Sequence, residues 1–137
     1  MAALRVEGKV DMIGVSNVSV EQLGRARAIT DIVSVQNRYS LGDRESEDVL
    51  VICERDGIAF LPWHPLGAGS LTRASELDDV AAAHGATAAQ VAIAWLLQRS
   101  PAILPIPGTS SVAHLEENNA AANVELSEPE FDRLARG

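Results

Sequence analysis

The stretch "IAFLPWHPLGAGSL", Ile58 to Leu71, passes from an unbroken apolar run into a loop of proline, histidine and glycine, with a tryptophan at the junction. An apolar run of this length between Gly57 and a proline reads as a strand buried on both faces. The segment before it, "RESEDVLVICERDG", has apolar residues at helical spacing and stops at Gly57, a glycine C-terminal stop. Helix, buried strand and glycine-bearing loop in succession form one unit of a parallel α/β fold.

The same unit recurs on either side. "VDMIGV" ends in the turn signal Ser16-Asn17, and "SVEQLGRARAI" follows with Ser19 and Gln22 spaced as a capping box. "DIVSVQ" reads as a second strand and "AILPIPG" as a fourth. Helices are predicted around Ser75 to His84, over "TAAQVAIAWLLQRS" with a Thr87/Gln90 capping box, and over "SSVAHLEENNAAA". "SEPEFDRLAR" closes the chain, with Ser127 and Glu130 capping and Pro129 in the first turn. The pattern predicts four parallel βα units and a C-terminal helix in one α/β domain spanning residues 1–137.

Composition narrows the function classes. The chain has 137 residues, 47% hydrophobic and 4% aromatic, so its core is aliphatic and alanine-rich. The net charge of −8, with a lone Lys9 among scattered arginines, leaves no basic patch for nucleic acid. No run approaches the ~20 apolar residues of a membrane span, and "MAALRVEGKVDM" has no long apolar core of a signal peptide. A cytoplasmic location without a membrane partner is the expectation. The single cysteine, Cys53, reads as a buried apolar residue. No metal site is expected.

The strands end in "GVSN", "VQNR", "LPWHPLG" and "LPIPGTSS". Serine, asparagine, proline and glycine make turns anywhere. Four such ends in succession also suit a barrel, whose site lies at the C-terminal ends of its strands.

At this point the residues resemble a known family. "IGVSNVSVEQL", "VQNRYSL", "LPWHPLGAGSL" and "ILPIPGTSSVAHLEEN" are similar, in order, to motifs of the aldo-keto reductases, particularly the bacterial branch. The similarity runs from about Gly8 to the C-terminus. It implies a (β/α)₈ TIM barrel that binds NADP(H) in extended form and reduces aldehydes and ketones. The match is to the second half of that barrel only, since a full one takes ~250 residues and eight βα units. The family's catalytic tyrosine, lysine, aspartate and histidine come from the first half, so no catalytic residue is assigned here. Tyr39 and Lys9, the chain's sole tyrosine and lysine, do not match the family's catalytic positions.

What the resemblance implies is the cofactor side of the site. Ser16, Asn17 and Gln36 match polar contacts to the nicotinamide carboxamide. Trp63 stands where the family stacks an aromatic ring on the nicotinamide; the alternative is a tryptophan capping the barrel core. Pro65, Leu66, Gly67 and Gly69 match the loop around the pyrophosphate, where small residues let backbone N–H groups approach phosphate. His64 is a contact or a bystander rather than a base. Gly108, Thr109, Ser110 and His114 match the clamp on the adenosine 2′-phosphate, to which Ser111 can add a hydroxyl. Glu117 and Asn118 match the positions that meet the adenine. Gly108 and His114 replace a lysine and an arginine of well-known members, so two permanent charges are missing. NADP(H) is the expected cofactor, bound weakly by the chain alone, and NAD is not excluded.

Three readings remain open: the cofactor-binding half of a reductase, a non-enzymatic nucleotide-binding or interaction module, and a half-barrel that closes as a homodimer. The partner is then a missing N-terminal half-barrel or a second copy, with "VDMIGV" and "AILPIP" as unpaired edge strands, apolar on each face.

Overall fold

The computed structural model describes residues 1–67 and 74–136. Gly69, expected in the phosphate loop, lies outside them. Among the described residues, seven helices and three strands follow in order: α1 (Ala2–Val6), β1 (Gly14–Ser16), α2 (Val20–Arg27), β2 (Ser34–Gln36), α3 (Glu47–Asp56), β3 (Ala59–Phe60), α4 (Ala74–His84), α5 (Ala88–Arg99), α6 (Val112–Ala120), a 3₁₀ turn at Ala121–Asn123, and α7 (Glu128–Ala135). The strands lie side by side in chain order, all parallel, as in a barrel wall.

The helix boundaries follow local chemistry. The expected capping boxes form at Ser19/Gln22, Thr87/Gln90 and Ser127/Glu130. Each satisfies two backbone donors that the first helical turn leaves unpaired. Gly57 ends α3 at φ +67°, the left-handed conformation that a side chain disfavours.

Register divides the sheet into two faces. Val15 pairs with Val35, Val35 with Phe60, and Phe60 bridges Ile103. Side chains on paired residues share a face. Val35, Phe60 and Ile103 are buried in the core with Leu23, Leu50, Val91 and Leu96 of the helices. The opposite face carries Gly14, Ser16, Gln36 and Leu104, all exposed. The expectation that both edges are apolar on each face therefore fails at β1, where Gly14 and Ser16 take the open face, and holds at the Ile103 segment, where Leu104 takes it. One face packs under helices, and the other is open, small and polar at β1.

"AILPIPG" runs beside β3 but forms one bridge rather than a strand. Phe60 N–H donates to Ala102 O (2.8 Å), and Leu104 N–H donates to Phe60 O (2.8 Å). The next rung needs an N–H at Pro62, which proline lacks. On the other side, Ala102 N–H turns to Ser100 Oγ (3.2 Å). The ladder stops in both directions for want of donors.

Helix α5 is the centre of the helical layer, with Val91 to Leu96 all buried. Trp95 stacks on Phe131 of α7 (5.3 Å between ring centroids) and donates its indole N–H to Phe131 O (3.3 Å). The Arg44 guanidinium lies 4.7 Å from the Trp95 ring centroid.

Candidate functional site

Three successive strand ends place the polar residues expected there. β1 delivers Ser16 and Asn17, β2 delivers Gln36, and the chain beyond β3 delivers Trp63. Ser16 Oγ and the Asn17 N–H both donate to the Gln36 carbonyl, at 2.8 and 3.0 Å. Asn17 takes the left-handed conformation, φ +53°, which asparagine enters more readily than most residues. Trp63 Nε1–H then donates to Asn17 Oδ1 at 2.8 Å. The structure thus brings Ser16, Asn17, Gln36 and Trp63 together.

Two neighbours that the sequence reading did not single out hold this group. Asn37 is buried; its Oδ1 accepts from Val18 N–H (3.0 Å), and its Nδ2 donates to Val18 O (2.8 Å) and Ser46 Oγ (3.2 Å). Its carbonyl accepts from Trp63 N–H (3.0 Å). Arg38 bridges Trp63 in the parallel ladder, and its guanidinium lies 5.9 Å from the indole centroid while pairing with Asp43 at 2.8 Å. Their signal in the sequence was only their place directly after Gln36.

Below Trp63 the chain turns sharply. His64 and Gly67 both have positive φ, +58° each, and Gly67 N–H donates to His64 O (2.9 Å). The exposed His64 ring meets the Trp63 ring edge-on at 5.4 Å. A cavity of about 350 Å³ is lined by His64, Pro65, Leu66, Gly67, Ile106, Pro107 and Gly108. A second, of about 440 Å³, shares Ile106 and Pro107 and reaches Leu115 and Asn118. The two share this wall at the end of the fourth segment; Gly67 and Gly108 line the first and Asn118 the second.

At the start of α6 the hydroxyls are partly engaged. Thr109 Oγ1 accepts from Ser111 N–H (3.1 Å), and Ser111 Oγ accepts from His114 N–H (3.4 Å) as the N-cap. Ser110, His114 and Glu117 are exposed, and neither His114 nor Glu117 lines these cavities. No lysine or arginine occurs between residues 100 and 132.

A further cavity, about 690 Å³, lies between the starts of α2 and α3. It touches Asn17, Arg38 and Trp63, but Glu21, Glu45 and Asp48 also line it. Carboxylates so placed repel phosphate, so the smaller adjoining pair is the better anion path.

Tyr39 is fully buried beneath the site, edge-on to Phe60 at 5.7 Å, with its hydroxyl donating to Glu47. Burial, then the Glu47 carboxylate, push its hydroxyl far above the usual tyrosine range. Arg99 pairs with the same carboxylate and lies 3.6 Å from Glu54. Tyr39 therefore anchors α3 and α5 and does not reach the open face. Lys9 is at the surface, paired with Glu7 at 2.7 Å.

A parallel sheet with helices packed on one face and polar strand ends on a shared rim has the architecture of one stretch of an α/β-barrel wall. The chain belongs to the aldo/keto reductase family, whose family model matches residues 1–136. It is 52% identical over 134 residues to pyridoxine 4-dehydrogenase of Escherichia coli K12, covering 98% of this chain and 47% of that protein. It is 45% identical over 135 residues to the uncharacterized oxidoreductase C215.11c of Schizosaccharomyces pombe, covering 98% and 44%. Among solved structures, the thermostable aldo-keto reductase Tm1743, in complex with the inhibitor epalrestat, superposes with a TM-score of 0.91 at 34% identity, covering 98% of this chain and 51% of that one. An aldo/keto reductase from Klebsiella pneumoniae in complex with NADP and acetate gives 0.87 at 34% identity, covering 99% and 51%. The chain thus spans about half the length of the relatives it matches.

Proposed function

We propose that this chain forms the cofactor-binding half of an NADP(H)-dependent carbonyl reductase site, with the proton donor supplied by polypeptide outside these 137 residues. The observation that carries the reading is the meeting of Ser16, Asn17 and Gln36 with Trp63 at one rim of the open sheet. When bound, NADPH supplies the hydride that reduces a carbonyl carbon. The chain's own residues bind and orient it. Trp63 offers a flat ring, Ser16, Asn17 and Gln36 offer polar groups to the carboxamide, and the cavity between Gly67 and Gly108 takes the pyrophosphate. The adjoining cavity by Asn118 takes the adenine.

The shape and the donor set fit that group. Gly67 and Gly108 let a ligand approach the backbone, and the two cavities share Ile106 and Pro107 in their walls. With no lysine or arginine between residues 100 and 132, the 2′-phosphate is met by hydroxyls, chiefly Ser110, and by His114. Discrimination between NADPH and NADH is accordingly modest. A cytoplasmic location, and cover of the open sheet face by a second copy or by a first half-barrel, belong to the same proposal.

Titration of NADPH against tryptophan fluorescence tests it. Trp95 is buried against Phe131, so quenching by a nicotinamide reports Trp63. Quenching in the wild type and little in Trp63→Ala supports the reading. Coincident curves mean that Trp63 caps the core and does not stack.

A further inference from the structure

We infer that Trp63 has a second task beside its ring face: its indole N–H fixes the Asn17 amide so that Nδ2 is the atom offered to a ligand carboxamide. The indole N–H is a donor and nothing else. The Asn17 atom that meets it at 2.8 Å must therefore be the oxygen, and the amino group is turned the other way. Nδ2 has no hydrogen-bond partner among the described residues, and Asn17 is exposed on the cavity that Trp63 also lines.

Both ends of this bond are held. The Asn17 backbone is set by its N–H bond to Gln36 O and its left-handed φ. Trp63 is held by its N–H bond to Asn37 O and by Tyr39 N–H, which donates to Trp63 O (3.4 Å). Arg38, tied to Asp43, lies against the ring. Next to Asn17, Ser16 Oγ donates its single hydrogen to Gln36 O, which leaves that oxygen with lone pairs only. Beside the exposed Gln36 amide, which can do either, the rim so offers one fixed donor, Asn17 Nδ2, and one fixed acceptor, Ser16 Oγ. A primary carboxamide is their complement, its carbonyl toward Asn17 and its amino group toward Ser16. An unlocked asparagine would offer either atom and lose that polarity. The ligand half of the inference rests on the nicotinamide reading above; the Trp63–Asn17 lock does not.

The test uses the ¹⁵N-labelled 137-residue chain, three single variants and one double variant. Asn17→Asp keeps an acceptor for the indole and tolerance of positive φ but loses the amino donor. Asn17→Gly keeps the backbone and loses both, and Trp63→Phe keeps a ring and loses the N–H. Without nucleotide, the Trp63 indole proton is expected to exchange slowly in wild type and Asn17→Asp, and about tenfold faster in Asn17→Gly. The Trp95 indole, bonded to Phe131 O, serves as the unchanged control. By calorimetry, Trp63→Phe and Asn17→Asp should each weaken NADPH binding about three- to tenfold, the worth of one hydrogen bond. In the Asn17→Gly background, Trp63→Phe should weaken it no further. Equal indole exchange in wild type and Asn17→Gly overturns the lock. Losses that multiply in the double variant overturn the positioning role. A wild type that binds no NADPH removes the nicotinamide reading, while the exchange comparison still decides the lock.

Discussion

Gly14 sits where the sheet leaves no room for a side chain. A Cβ there would lie 2.3 Å from Ser34 Oγ and 3.2 Å from Ser34 O. Gly14→Ala is expected to destabilise the chain by about 1–3 kcal/mol, as overpacking does. Adding Ser34→Ala should restore most of it, because the nearer clash is with a removable hydroxyl. Urea denaturation of the three chains checks this; no recovery in the double variant would place the strain on the backbone. Cys53 gives a pH dependence. Burial pushes its thiol from about 9 up to about 11, with Arg27 pulling down and Asp56 pushing up. The folded state thus holds this proton more tightly than the unfolded chain. Its stabilising contribution is complete below about pH 9 and is lost as pH rises toward 11. The urea midpoint should fall across that window, and fall less in Cys53→Ala. A parallel fall in both would remove the thiol as the cause. At this scale the sequence showed Trp63 at a strand mouth but not its bond to Asn17, a residue 46 positions earlier. Such a contact depends on which strands adjoin, and no local pattern encodes it.

Helix caps and strand ladders show why some elements were legible and others were not. Each capping box is a contact over three residues, so its spacing is visible in the chain, and all three form as read. Thr87→Ala should cost about 0.5–2 kcal/mol, as loss of a cap does, because it loosens the start of α5, which is buried from Val91 to Leu96. Ser111→Ala should fall at the low end of that range, since α6 has no buried residue and its cap bond is long, 3.4 Å. Thermal melts of both variants compare them, and an equal loss would contradict this ranking. The fourth strand misled because its apolar residues are correct and its partner's donors are not. "AILPIP" carries the pattern, but Pro62, two residues past the end of β3, withholds the next rung. The short α1, with no buried residue, gave no amphipathic signal to read. The site's outline followed from motif order along the strand ends, whereas Arg38 and Asn37 emerged only once β2 and the chain after β3 lay side by side.

For the whole molecule, the proposed division of labour has two consequences. The 137-residue chain alone should consume NADPH with aldehydes no faster than background. Positioned general acid catalysis is worth ~10²–10⁴ in rate, and Tyr39 is locked under the sheet with Glu47. NADPH consumption abolished by Tyr39→Phe would reverse this. The second consequence concerns the open face. Gly14, Ser16, Gln36 and Leu104 are exposed where a closed barrel would bury them, and among the described residues no strand lies beyond β1 or beyond the bridge segment, so both are edges open to pairing. Two copies joined about a two-fold axis, β1 of each beside the Ile103 segment of the other, would cover both edges and the face together, in the commonest oligomer symmetry. A charge must be placed where the copies would meet, and Ile13 is unsuitable because it is buried beneath the helices, at 7% exposure. Leu104 is 58% exposed on the open face, and Val51, 50% exposed on α3, provides a control on the helical side. Light scattering is expected to show a dimer for the wild type and Val51→Lys, and a monomer for Leu104→Lys at the same concentration. A cooperatively folded wild-type monomer, or a dimer indifferent to Leu104→Lys, would leave the face to be covered by a first half-barrel instead.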